Sequence, residues 1–273
     1  KVIRDNGGDI WYNSEATKII MEDGKPAGVV INGEKEVYGK YFICNSSPNS
    51  VWADLFEKKD IPEKQLKMLN TRKIACALTT VYLGMNKTKE ELGLKDYSIF
   101  IAPDSDSDKQ YDAAQNFFSG FCIINCLNEI IPDCTPEGTS QLFLTTMTFG
   151  DVMKDVRPQD YKKFKTKVAK DMIETCEKAL NISITPYIEE IEIALPPTFA
   201  RYLNTPQGTP YGYMLQKWDS LIPRTAQYMQ DQPFKNFLFC GASQERGDGY
   251  GCAYYTGEKA GGIVVKALKK EGK

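Results

Sequence analysis

Two dipeptides, Asp23-Gly24 and Asn32-Gly33, constrain the first part of this chain more than any other feature. Each pair tolerates the positive φ angles that a tight hairpin turn of the correct twist demands at both central positions. Alternating segments flank them: Ala16 to Met21, Gly28 to Ile31 and Glu36 to Cys44. Strands joined this way lie antiparallel, so residues 8 to 44 predict a β-meander of three or four short strands, with Asp9-Ile10-Trp11-Tyr12 as its first. Asn45-Ser46-Ser47-Pro48 breaks the pattern ahead of a short helix over 49–56.

Beyond the meander, Pro62 to Asn70 predicts a helix with proline at an early position, where its missing N–H costs little. Ile74 to Leu83, Tyr97 to Ala102, Phe117 to Leu127 and Gln141 to Phe149 predict further strands of an antiparallel or mixed sheet. Tyr161, Phe164, Val168, Met172, Ile173, Cys176 and Leu180 recur every three to four residues, which marks one long amphipathic helix lying on that sheet. Ile188 to Leu195 reads as another strand. Pro196 to Pro223 carries Pro, Gly and Tyr without clear periodicity and reads as a long structured loop. The chain closes with a short strand, Phe237 to Cys240, a glycine-rich turn over 241–251, and a helix from Cys252 to Lys270.

Composition removes several function classes. The 273 residues include 34 Lys plus Arg against 36 Asp plus Glu, spread along the chain, so there is no electrostatic footprint for nucleic acid. The longest apolar runs fall far below the roughly 20 residues needed to span a bilayer. Eight cysteines among 273 residues are too sparse for a disulfide scaffold and predict a reduced, cytoplasmic protein. There is no histidine, which excludes Ser-His-Asp, Cys-His and His-metal chemistry within these residues. An enzyme built from them must let a cofactor carry the hard step. The start at Lys1 reads as a position inside a longer protein.

The segment from Phe237 to Gly261 orders a strand, a glycine-dense bend and a helix. Such an arrangement aims backbone N–H groups and the positive end of a helix dipole at one spot, a means of holding phosphate or another electron-rich group. This segment resembles the C-terminal flavin-contacting motif of the phytoene desaturase and retinol saturase group of FAD-dependent oxidoreductases, related more distantly to flavin amine oxidases. Other blocks are similar in the same order: Asn6-Gly7-Gly8-Asp9-Ile10, Val29-Val30, Tyr41 to Pro48, Cys134 to Leu142, Pro197 to Tyr202 and Gly208 to Gly212.

The resemblance implies an α+β flavoprotein fragment. It pairs a mixed or antiparallel substrate-domain sheet with a partial FAD/NAD(P)-binding Rossmann-like domain lacking its N-terminal βαβ, where G-x-G-x-x-G would sit. The implied division is 1–55 for part of the FAD-binding domain, 56–235 for the substrate-binding domain, and 236–273 for the C-terminal FAD-binding strand, loop and helix. Gly241, Ala242, Ser243, Gly249, Tyr250 and Gly251 would face the flavin. Ala242 stands where many relatives carry an acid, and Ser243 is the alternative donor. Arg201, Tyr202, Tyr211, Tyr213 and Lys217 would line a tunnel for an apolar substrate. FAD, and NAD(P) as a second nucleotide, would belong to the full-length protein. This chain alone is expected to be colourless, inactive and prone to self-association.

Two rival readings stay open: an amine or amino-acid oxidase on the same architecture, and a non-catalytic binding module. Cys122, Cys126 and Cys134 lack the spacing and fourth ligand of a zinc site, and Cys122 and Cys126 share a strand face. The run Asp104, Asp106, Asp108 lacks the closing residues of a calcium loop and reads as a solvated loop. Glu190 and Glu192 share the wet face of a strand. Cys240 and Cys252 flank the glycine-dense bend and read as buried packing.

Overall fold

The structure, a computed structural model, describes residues 1–214, 216, 232–244 and 249–272. They form two compact units, Lys1–Lys73 with Tyr211–Lys273, and Ile74–Pro210. These divide the chain after 73 and 210 rather than after 55 and 235.

The first unit opens with a short helix, α1 (Val2–Asp5), not with a strand at Asp9 to Tyr12. There Asp9 turns back on itself, accepting from the Ile10 N–H at 2.7 Å and the Trp11 indole N–H at 2.6 Å, so its backbone has no strand partner. The meander follows as β1 (Ala16–Glu22), β2 (Lys25–Ile31) and β3 (Lys35–Tyr38), in that spatial order and antiparallel. Both turns adopt the expected backbone, with φ of 49° and 73° at Asp23 and Gly24, and 54° and 75° at Asn32 and Gly33. After β4 (Phe42–Cys44), the one-turn helix α2 (Pro48–Ser50) widens into a π-type turn over Val51–Leu55. That turn sends Val51 and Trp52 into a core with Ile19 and Phe56. Helix α3 (Glu63–Thr71) begins after Pro62, as its sequence predicts.

The second unit is built on five antiparallel strands: β5 (Ala77–Met85), β6 (Ser98–Ile101), β7 (Cys122–Cys126), β8 (Ser140–Thr148) and β9 (Ile188–Ala194), in the order β6-β7-β8-β5-β9. Burial alternates strictly along β8, so one face is packed and the other is not. The packed face presents Val81, Leu83, Leu142, Leu144, Cys122 and Ile124 to Val168, Met172 and Cys176 of α5 (Tyr161–Leu180). Each such side chain contributes roughly 1.5–3 kcal/mol when fully buried. Asn181 ends α5 in the left-handed conformation, at φ 52°. Glu177 then accepts the N–H groups of Ile184 and Thr185, both at 2.7 Å.

Two helices here depart from expectation. The acidic run is not merely a loop: Asp106 caps α4 (Ser107–Ala113), accepting from the Asp108 and Lys109 N–H groups. The Pro196 stretch opens with α6 (Pro196–Leu203), whose two leading prolines suit a helix start and hide the short apolar period behind them.

The chain returns to the first unit with β10 (Phe237–Phe239), which pairs with β4 in parallel, Phe239 opposite Cys44. The final helix, α7, spans Gly249–Lys270 and so begins before Cys252, taking Gly249, Tyr250 and Gly251 into its first turn. Both faces of the parallel pair are covered, as parallel strands require. Phe237 and Phe239 meet Trp52 and Phe56 on one side, while Leu238 and Cys240 meet Ala260, Ile263 and Val264 of α7 on the other. Among the described residues no helix is long and apolar enough to cross a membrane.

Candidate functional site

The carboxyl ends of β4 and β10 finish side by side, with the Cys240 N–H donating to the Cys44 carbonyl at 2.9 Å. The chain then bends at Gly241, with φ at 99°, a conformation costly for any residue bearing a Cβ. A Cβ at that point would collide with the Asn45 side-chain oxygen and lie 3.0 Å from its Cγ. Glycine is therefore required because the loop after β4 packs onto the bend. Gly212, at φ 79°, supports the bend from behind: a Cβ there would stand 2.9 Å from the Ser243 Cα.

Thr256, fully buried in α7, ties the bend to the helix. Its hydroxyl accepts the Gly241 N–H at 2.9 Å and donates to the Cys252 carbonyl at 2.8 Å. Of the residues proposed from sequence, Gly241 is buried, Ala242 and Ser243 are half-buried beside it, and Gln244 is buried next in line. Gly249 and Gly251 face open space, and Tyr250 is 84 % exposed. Residues 245–248 of the bend, and Lys217, lie outside the described residues.

Sequence reasoning missed Ser47, Asn45 and Thr256. Ser47 is only 5 % exposed, sits in the loop at the carboxyl end of β4, and its hydroxyl has no hydrogen-bond partner among the described residues. A buried hydroxyl left unpaired costs about 1–3 kcal/mol, so it fits a place where a bound group completes the hydrogen bond. With a side-chain-free residue at 241 and small residues at 242 and 243, this strand end fits a dinucleotide cofactor. The one local signal was the Asn-Ser-Ser-Pro break itself. The nearby thiols are not thiolates near neutral pH: burial pushes the Cys240 and Cys44 thiols up.

The remaining candidates divide between the units. Arg201 and Tyr202 stand exposed at the end of α6 in the second, Tyr202 at 80 %. Tyr211 and Tyr213 belong to the first, where Tyr213 is buried with the Arg72 guanidinium 5.1 Å from its ring centre. Cys122 and Cys126 point into the sheet–α5 core, where burial pushes the Cys122 thiol up to about 12. A cavity of about 670 Å³ in the first unit is lined by Tyr41 and Asn236 at the opposite, amino ends of the parallel strands.

The parallel strand pair ending in a glycine bend and a long helix, and the five-stranded antiparallel sheet backed by α5, make up a fold that recurs in solved structures. Cyclohexylamine oxidase from Brevibacterium oxydans IH-35A shares it at a TM-score of 0.56 and 13% identity, over 93% of this chain and 48% of that one. An oxidoreductase from Methanosarcina mazei does so at 0.53 and 15%, over 98% of this chain and 51% of that one.

In sequence the chain is similar to carotenoid isomerases and desaturases and to a retinol reductase. It is 26% identical to the prolycopene isomerase of Daucus carota over 216 residues, 79% of this chain and 34% of that protein. To the all-trans-retinol 13,14-reductase of Danio rerio it is 26% identical over 273 residues, covering 88% and 43%. The phytoene desaturase of Fusarium fujikuroi matches at 22% over 259 residues, covering 86% and 43%. The chain thus spans well under half the length of these relatives. No family model matches it.

Proposed function

We propose that this chain supplies the carboxyl-terminal part of an FAD-dependent oxidoreductase of the carotenoid desaturase and retinol saturase kind, moving a hydride between flavin and an apolar substrate. The observation that carries the reading is the shared carboxyl end of β4 and β10, which holds a glycine bend, two small residues and, in the loop after β4, a buried Ser47 hydroxyl without a partner among the described residues. Ligands of parallel sheets gather outside that end of the strands. Gly241, Ala242 and Ser243 let the main chain approach the cofactor. Ser47 offers its hydroxyl, and Gly249, Tyr250 and Gly251 form the first turn of α7, whose dipole favours an electron-rich group. FAD, when bound, supplies the hydride chemistry; the chain's own residues orient and shield.

Residues 1–55 and 236–273 serve the cofactor in this reading, and 56–235 serve the substrate, with Arg201, Tyr202, Tyr211 and Tyr213 as its contacts. A second nucleotide, NAD(P), exchanges electrons with the flavin, and the protein works in the cytoplasm. The exposed Tyr250, Tyr254 and Val265 on α7 support self-association of the chain when it is alone. The test is made on the full-length protein. Flavin absorbance that stays with it through gel filtration, and changes redox state when an apolar polyene is added without oxygen, is the expected result. A full-length protein that remains colourless after saturating FAD removes the proposal.

A further inference from the structure

The cavity of about 670 Å³ in the first unit lies at the amino ends of β4 and β10, opposite the end that carries Gly241. Ligand pockets run to about 300–1,000 Å³, so it has room for a molecule of metabolite size. Its frame is tied across the chain. The Asn236 side-chain amide donates to the Pro26 carbonyl at 2.7 Å and to the Lys40 carbonyl at 3.1 Å, while the Asn236 main-chain carbonyl accepts the Phe42 N–H at 2.8 Å. The start of β2, the turn at Lys40 and the approach to β10 are thereby fixed to one another.

Three kinds of recognising group line this cavity: tyrosine rings, lysines and a carboxylate. Tyr38 and Tyr41 are each oriented by a hydrogen bond that the hydroxyl donates, Tyr38 to Glu36 at 2.9 Å and Tyr41 to Glu271 at 2.7 Å. Tyr38 is 57 % exposed, so much of its ring is uncovered. Lys40 lies 3.7 Å from Glu271, whereas Lys25 and Lys235 have no acidic partner among the described residues. Glu22 is the carboxylate left over, also without an ion pair there. A ring stacks on tyrosine, a phosphate sits on lysine, and sugar hydroxyls donate to a carboxylate. One class of molecule, a nucleotide, carries all three groups.

We propose that this cavity binds a nucleoside monophosphate, with its base against Tyr38, its phosphate on Lys25 and Lys235, and its sugar hydroxyls toward Glu22. The inference stands apart from the flavin reading, because neither Gly241 nor any other proposed cofactor residue lines this cavity. Flavin binding by the full-length protein is decided separately.

The test is calorimetric titration of the chain with adenosine monophosphate, adenosine and inorganic phosphate. The nucleotide is expected to bind about tenfold or more tightly than either part, because each part engages only some of the groups. Tyr38→Ala should weaken the nucleotide about tenfold, while Tyr38→Phe, which keeps the ring, should not. Lys25→Ala with Lys235→Ala should bring the nucleotide down to the affinity of adenosine and remove the salt dependence of its binding. All three positions are exposed; should Tyr38→Ala fail to fold by circular dichroism, the lysine pair makes the test. A nicotinamide adenine dinucleotide that binds as tightly assigns the site to the adenylate end of a larger molecule, and one that binds more weakly assigns it to a free mononucleotide. Absence of adenosine monophosphate binding, adenosine or phosphate alone binding as tightly, or unchanged binding in the variants overturns the proposal.

Discussion

Replacing Gly241 by alanine tests the geometry on which the cofactor reading rests. At φ 99° an L-residue is disfavoured by roughly 1–2 kcal/mol from its own backbone. The new methyl also overlaps the Asn45 side-chain oxygen, and overpacking of this kind costs roughly a further 1–3 kcal/mol. Gly241→Ala should therefore destabilise the first unit by about 2–5 kcal/mol. Trp52 reports on that unit, being 2 % exposed with its ring centre 4.6 Å from Phe56 and 5.5 Å from Phe239. Urea unfolding followed by tryptophan fluorescence gives the free energy. Adding Asn45→Ala to Gly241→Ala should return the steric part and leave only the backbone cost of about 1–2 kcal/mol, a coupling that a double-mutant cycle isolates. A single variant within about 0.5 kcal/mol of the parent, or a double variant no better than the single, refutes the packing argument.

Asp106→Ala removes the cap of α4, and should cost about 1 kcal/mol and speed hydrogen exchange at the Asp108 and Lys109 amides; unchanged exchange there argues against the cap. Burial pushes the Cys122 and Cys176 thiols up to about 12, so below the ordinary thiol range both are neutral whether folded or unfolded. Above about pH 9 the unfolded chain releases protons that the folded one keeps, and stability should fall by about 1.4 kcal/mol per pH unit for each thiol. Urea midpoints measured from pH 8 to 10.5 check this. Cys122→Ala with Cys176→Ala should flatten the slope, and a parent protein with no slope would contradict it.

Much of the local structure could be read directly. Asp23-Gly24 and Asn32-Gly33 made their turns because positive φ depends on two residues and no others. The period of α5 and the alternation of β8 appeared because a half-buried element repeats its burial along its own length. The misses have equally physical causes. Helix α6, eight residues behind two prolines, is too short to show a period, and Asp106 signalled a cap only to a reader already expecting a helix. Helix α7 begins at Gly249 although glycine is a poor helix former. The Thr256 contacts to the bend belong to the packed helix and lie several residues beyond any local signal.

The amino-acid order by itself determined where turns fall, which stretches alternate, and, through the lack of histidine, which chemistries are closed to these residues. Those properties depend on side chains a few positions apart. Only the tertiary structure joined β4 to β10 across nearly two hundred residues, set Asn45 against Gly241, and left the Ser47 hydroxyl without a partner among the described residues. Partners so distant are selected by burial and by complementary shape in three dimensions, quantities that no local window of residues contains.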